Sequence, residues 1–454
     1  MRVRREPVMR RAAIVMPMRT PVGMTGGALA TVPPHRLAGT VIAAVLGRTG
    51  LDPARVDQFV TAVPDSQAIR PALAHCGLSP ELADFALGDG PGSGLRALIT
   101  AAMMVRSGTA DVVLTLGADH PVVEHPCATA GFAPQPTSVP FGPTSSAASR
   151  GTAGPSTDEQ IALWASMKPS RAQSNSPRLE DLAREHGLTR ADADDYAAAS
   201  HRRAARAHRQ GRFGQEIAPV VVLADPGDPH SGVVSLVDRD ESLRDDVSAR
   251  AFAALPPFHP GGATTLGNSS IRTVAASACL VVAEERLTDL GLEPLAFLID
   301  WTNTAAPSNP SEPSTRTETI PTAAAAAKSL WRSGFDLSDL PLLEIEETSA
   351  VEVLAAARAL NLPDGDHDRL NVHGGSIALG EPGGAAGLRM VTTLLHELSR
   401  RDGNLALAAT PTGPHTALAA LFESPESDPI SVTPRGARFR GAGNRRPPKG
   451  RHRN

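Results

Sequence analysis

Two segments of this 454-residue chain repeat two others at a nearly fixed distance, and that repetition limits the fold more than any other feature. Residues 41–61 (VIAAVLGRTGLDPARVDQFVT) align with residues 325–346 (AAAKSLWRSGFDLSDLPLLEIE), with Gly50 on Gly334, Leu51 on Phe335, Asp52 on Asp336 and Val56 on Leu340. Both read as a helix, a glycine C-cap, a short turn and a buried strand. The stretch from Pro91 (PGSGLRALITAAMMVRSG) is echoed from Pro382 (PGGAAGLRMVTTLLHELS). Each is a glycine-rich turn opening an amphipathic helix, and each is followed by an apolar strand, DVVLTLG at 111–117 and LALAAT at 405–410. The offset stays at about 284 to 294 residues throughout. One such match arises easily by chance, but three in the same order do not. They predict two similar α/β halves, each a sheet with packed helices.

The halves bracket an insertion. Residues 1–120 and 251–285 fall to the N-terminal half, 286–425 to the C-terminal half, and 121–250 lie between them. The insertion opens with a Pro/Ser/Thr/Ala/Gly-rich stretch, 121–177, which reads as loop. Two helical patterns follow, the second introduced by Thr189 with Asp192 three residues on, a capping arrangement. Residues 426–454 form a tail that carries eight Arg/Lys and no acid from 433 onward. Since the whole chain stands at -4, the rest stands at -12. Such a tail is expected to be a disordered, solvated extension, with no nucleic-acid or membrane role expected of it. The 41% hydrophobic content supports a large core, yet no apolar run approaches the roughly 20 residues of a membrane helix. Three cysteines, Cys76, Cys127 and Cys279, make neither a disulfide framework nor a zinc site, and point to a reducing cytoplasm.

A glycine-rich turn at a helix N-terminus lets backbone approach a ligand closely and favours developing negative charge there. GDGPGSG is neither a P-loop nor a dinucleotide fingerprint, so one such turn alone says little. Two of them, one per half, suggest helix ends pointing into one shared site. Further motifs accompany them: MRTPVGMTGGAL at 18–29, RLEDLAREHGLTRADADDYAAASHRRAARAHRQGRFGQEIAPV in the insertion, GNSS at 267–270, GGSIALGEPGGAAG from Gly374, and LAALFE at the end of the second half. Together these resemble the thiolase superfamily, whose members join or cleave carbon–carbon bonds beside an acyl-CoA thioester. The resemblance runs over residues 11–423 and implies a five-layered αβαβα thiolase fold, a loop-domain insertion and at least a dimer.

At the chemical positions the chain departs from that pattern. The family's acylated cysteine, before Gly-Ser-Gly, is Pro91, and its histidine before Pro is Glu381. The second cysteine falls on Pro411, and the asparagine of the Asn-Glu-Ala-Phe motif on Glu346. Proline offers neither a nucleophile nor a titratable group, so covalent acyl transfer cannot occur at position 91. A carboxylate at 381 repels an enolate oxyanion unless protonated, but it can act as a base. Glu381, Glu347 and His415 are the candidates for residual acid/base chemistry, with His373 a weaker one and Ser93 read as a helix cap. The group Asp119, His120, Glu124, His125 and Cys127 holds metal-ligand residue types without a metal-site spacing, and no metal is expected. By resemblance, Arg244, Phe258 and Ser270 match positions that contact coenzyme A, an Arg being suited to adenine or phosphate.

The pattern leaves three readings. The first is an acyl-CoA-binding protein without the Cys/His machinery, a non-catalytic or remodelled partner of a condensing acyltransferase. The second is an acyltransferase or α-carbon acid/base enzyme that works without acyl-cysteine. The third is a binding scaffold with a basic tail. Each takes a coenzyme A thioester or an acyl carrier as substrate or ligand, with no permanently bound cofactor. Each also implies a homodimer or a heteromer with an intact thiolase homologue.

Overall fold

The computed structural model describes residues 10–425 apart from positions 80, 91, 120–175, 229, 245, 246, 248, 306–319, 363–367 and 402. Pro91, the candidates His120, Glu124, His125 and Cys127, and the 426–454 tail therefore lie outside the described residues. The strands are β1 (Ala12–Arg19), β2 (Gly23–Met24), β3 (Gln58–Ala62), β4 (Asp84–Ala86), β5 (Val112–Asp119), β6 (Val220–Leu223), β7 (Val233–Val237), β8 (Thr273–Ala283), β9 (Ala296–Ala305), β10 (Leu342–Ile345), β11 (Leu405–Gly413) and β12 (Thr416–Glu423). The helices are α1 (Pro34–Thr49), α2 (Ser66–His75), α3 (Ser93–Ser107), α4 (Ser176–Glu185), α5 (Arg190–Arg209), α6 (Ala249–Ala254), α7 (Leu287–Leu290), α8 (Pro321–Ser333), α9 (Ala350–Ala359), α10 (Ser376–Leu379) and α11 (Ala386–Leu398).

The repeat is visible in strand order and polarity. In the first half β3 and β5 run parallel, β5 and β8 antiparallel, and β8 and β1 antiparallel. In the second, β10 and β11 run parallel, β11 and β12 antiparallel, and β12 and β9 antiparallel. The repeated helix ends match as well. Gly50 closes α1 and Gly334 closes α8, both left-handed at φ 65° and 80°, a conformation that costs glycine little. One sheet per half is the expectation from sequence. The structure instead joins the two through β1 and β9, with Ala12 opposite Leu298 and Ile14 opposite Ala296, into a ten-stranded sheet.

Three cores divide the layers. Helices α1 and α2 cover the outer face of the first half through Leu37, Val41, Ile42, Ile69 and Leu73, while α8 and α9 cover the second through Ala326, Leu330, Val353 and Ala356. Between them α3 and α11 share a core with strands of both halves: Leu95 and Leu98, Leu394 and Leu395, Val113 and Val281, Ala408 and Phe422. This is the αβαβα order. The insertion returns to the first half through Arg19, fully buried, whose guanidinium donates to Glu216 (2.7 Å) and twice to Asp240 (2.6 and 2.9 Å). The capping arrangement at α5 is a full capping box, with Thr189 and Asp192 each bonding the other's backbone.

Candidate functional site

The two glycine turns meet at the end of the shared layer. Gly92 is the N-cap of α3 with φ 67°, and a Cβ there would lie 2.7 Å from Thr412 Cγ2 and 3.2 Å from Thr410 Cγ2. The opening of α3 therefore abuts the end of β11, which carries Pro411. From the other side, a Cβ on Gly384 would sit 2.0 Å from the Ala62 carbonyl oxygen, and one on Gly383 would sit 2.3 Å from Asp119 Oδ2. The second turn is thus pressed onto the ends of β3 and β5 at backbone contact, where only glycine fits. Ser93 is buried, but its hydroxyl makes no hydrogen bond among the described residues, so the helix is capped by Gly92 rather than by Ser93 as the sequence suggested.

Around these turns the buried carboxylates have distinct partners. Glu381 is 3% exposed and accepts a hydrogen bond from the Ser270 hydroxyl at 2.9 Å, while its backbone is pinned to Ile271 and Thr273. The acid/base candidate and one expected coenzyme A contact are thereby brought together. Glu346, also buried, accepts from the Thr410 hydroxyl, which links the position of the family's asparagine to the residue before Pro411. Asp119 pairs with Arg272 at 3.5 Å, so the one described member of the metal-type group has a cation for partner. The backbones of Arg272 and Glu381 meet in an isolated parallel β-bridge, which places the two pairs side by side. Glu352, at the start of α9, pairs with Arg178 at 3.6 Å, and burial raises its pKa.

Other candidates fall elsewhere. Glu347 is fully buried and accepts from Tyr196 (2.9 Å), Ser200 (2.7 Å), Asn371 (3.1 Å) and the Ile377 amide (3.1 Å), with Arg203 at 3.9 Å. With both oxygens occupied, it is an anchor that ties α5 to the strand end and the second glycine turn, and it does not face the site as a base. His415 is exposed at the turn between β11 and β12. His373 bonds Glu397 at 2.8 Å. Burial pushes the Glu397 carboxyl up, but the bonds from His373 and Arg401 outweigh it and bring it down to about 2.

Phe258 is half-buried and packs on the second-half core, with its amide bonded to the Thr264 carbonyl. Arg244 is half-buried beside His201, whose pKa is brought down to about 3 by burial and then by that guanidinium. Sequence reasoning missed the Thr410, Arg272 and Tyr196 partners. Tyr196 carried a faint signal, being the only tyrosine in the chain.

Residues 12–285 match the thiolase N-terminal domain and residues 292–424 the thiolase C-terminal domain. An acetyl-CoA acetyltransferase of Chromobacterium violaceum is 32% identical over 422 residues, covering 91% of this chain and 99% of that protein. Human mitochondrial 3-ketoacyl-CoA thiolase superimposes with a TM-score of 0.72 at 27% identity, over 92% of this chain and 100% of that one. The same human enzyme in complex with CoA gives a TM-score of 0.71 at 26% identity, over 92% and 98%.

Proposed function

The chain belongs to the thiolase family, and on that premise we propose that it binds a coenzyme A or carrier-bound acyl thioester without forming an acyl-enzyme, as a non-catalytic or remodelled partner of a condensing acyltransferase. The observation that carries this is the residue at position 91. Proline supplies neither a thiol nor a backbone N–H.

No described sulfur replaces it. Cys279 is buried in β8 with its thiol pushed up to about 12 by burial. Cys76 ends α2 in the outer layer, its thiol 3.5 Å from the Gly39 carbonyl and also raised by burial. Neither has the lowered pKa of a reactive thiol. Ordinary acetyl-CoA acetyltransferase activity, which the relatives' names suggest, needs that thiol.

The second reading, acid/base chemistry without covalent attachment, is favoured by one observation, the buried Glu381 carboxylate bonded to Ser270. A bound thioester would compete for that hydroxyl. For a partner subunit, whether a second copy or an intact homologue, the edge of the large sheet at β4 is unpaired among the described residues, with Phe85 51% exposed.

The test uses the full purified chain. Coenzyme A and acetyl-CoA are titrated calorimetrically, acetoacetyl-CoA thiolysis is assayed, and the intact mass is read after acetyl-CoA incubation. The expected result is saturable binding with no thiolysis and no acyl adduct. Thiolysis above background, or an acyl group trapped on a cysteine, overturns the proposal. Turnover of an acyl-CoA that Glu381→Gln abolishes would establish the second reading in its place.

A further inference from the structure

Beside the Ser270–Glu381 pair stands a guanidinium with more donors than its carboxylate partner uses. From its backbone bridge with Glu381, Arg272 sends its side chain to Asp119 at the end of β5. Asp119 in turn lies against the second glycine turn, where a Cβ on Gly383, two residues after Glu381, would fall 2.3 Å from its Oδ2. The cation is thereby held at the turn that borders the candidate site. The two members of the pair are placed unequally. The Asp119 side chain is 2% exposed and the Arg272 side chain 39%, so an entering group meets the cation and not the anion behind it. Their contact is long, Nη2 to Oδ2 at 3.5 Å, and the buried Nε of Arg272 donates to nothing among the described residues. A guanidinium carries five N–H donors in a planar fork, so a carboxylate behind it can hold the fork and leave donors for a second anion. The nearby carboxylates are engaged. Glu381 accepts from Ser270, and Glu352, close enough to Glu381 for the two charges to interact, faces Arg178 at 3.6 Å.

We propose that Arg272 is a specificity residue for the acyl end of the ligand, and that the thioester this chain takes bears a free carboxylate on its acyl group. Such a ligand is a dicarboxylic acid joined at one end to coenzyme A or to a carrier. This rests on the acyl-thioester reading above and narrows it. Position separates an acyl carboxylate from the phosphates of the coenzyme. The arginine expected at the nucleotide end, Arg244, stands beside His201 on the insertion, whereas Arg272 stands at the glycine turn, where the reacting end of a thioester would enter. A neutral acyl group would leave the spare donors to water. A carboxylate can take two of them at once in charge-assisted bonds.

The test is calorimetric titration of the full chain with thioesters matched in length: malonyl- against propionyl-CoA, succinyl- against butyryl-CoA and glutaryl- against pentanoyl-CoA, with free coenzyme A beside them. In at least one pair the carboxylate-bearing member should bind about tenfold tighter or more. Arg272→Leu should bring that ratio to about one, and Arg272→Lys, which keeps the charge without the fork, should hold part of it. Because Arg272→Leu leaves Asp119 buried without this cation, the double change Arg272→Leu/Asp119→Asn is titrated too and should lose the ratio in the same way. Binding of coenzyme A and neutral thioesters with no preference in any pair overturns this inference alone, whereas binding of none of the ligands overturns the acyl-thioester reading with it. A preference that survives in both leucine variants also overturns it. So does an equal loss of affinity for free coenzyme A, which would assign the guanidinium to a phosphate.

Discussion

A buried carboxylate weakens this fold as pH rises. Glu344 lies within β10 and burial pushes it up to about 8, with Arg389 and Arg203 pulling it down and Glu347 and Glu216 adding to the rise. Its folded pKa lies above the unfolded value of 4.5, so the folded state holds the proton more tightly. That contribution is fully present below pH 4.5 and is lost as pH rises through about 8. Glu397 acts in the opposite sense. Its folded pKa of about 2 gives stability that is present above 4.5 and lost as pH falls through 2. His201, at about 3 against 6.5, likewise weakens the fold on the acid side. Denaturant midpoints across pH should therefore fall from pH 6 to pH 9, and Glu344→Gln should flatten that fall while leaving the acid limb in place. An unchanged alkaline slope in the variant would remove Glu344 as its cause. None of these residues announced itself in sequence. Glu344 sits in a plain apolar strand pattern, and whether it faces Arg389 or water is decided by packing from α11, over 40 residues away.

At the scale of elements, one substitution has opposite signs at two helices. Gly47 lies on the exposed side of α1, and a Cβ there meets nothing within 4 Å. Gly47→Ala should raise stability by about 0.5–1 kcal/mol, the helix-propensity difference between the two residues. Gly94 lies in the first turn of α3, where a Cβ would fall 2.5 Å from the Gly384 carbonyl oxygen and 3.0 Å from the Leu388 amide nitrogen. Gly94→Ala should cost about 1–3 kcal/mol, because α3 and the second glycine turn must separate to admit it. Chemical denaturation of the two variants beside the parent reads both signs, and a stabilised Gly94→Ala would mean that the two turns are not in backbone contact. This is also the scale at which the sequence was most legible. The glycine caps at Gly50 and Gly334, the capping box of α5 and the two glycine-opened helices all follow from local rules that a repeat states twice. The site was legible only in part. Motif position marked Glu381, Glu346 and Ser270, but Thr410, the partner of Glu346, comes from a strand that only the assembled sheet brings near. Glu347 was a candidate for acid/base work from its motif position. Glu346 and Glu347 both lie past the end of β10, where the chain turns Glu347 into the hydroxyls of α5.

For the molecule as a whole, the decisive fact is that its halves, each with an outer core of its own, share a middle one. Leu95 and Leu98 of α3, from the first half, and Leu394 and Leu395 of α11, from the second, belong to one cluster with strands from each side. β1 and β9 also continue one sheet across the junction. Unfolding either half would strip the middle layer from the other and expose the inner faces of β5 and β8 or of β11 and β12. Exposing such apolar area costs about 25 cal/mol per Å², so a half-unfolded species should not accumulate despite the chain's length. Chains of this size commonly divide into independently melting domains, and a repeat of two similar halves invites that expectation. The shared layer predicts the contrary. Scanning calorimetry of the full chain should show one endotherm, with van't Hoff and calorimetric enthalpies in near agreement where unfolding is reversible. Leu395→Ala, a buried truncation expected to cost about 2–5 kcal/mol, should move that single endotherm down as a unit. Two resolved transitions, or a Leu395→Ala shift confined to one of them, would show that the halves melt separately and that the central helices are an interface rather than a common core.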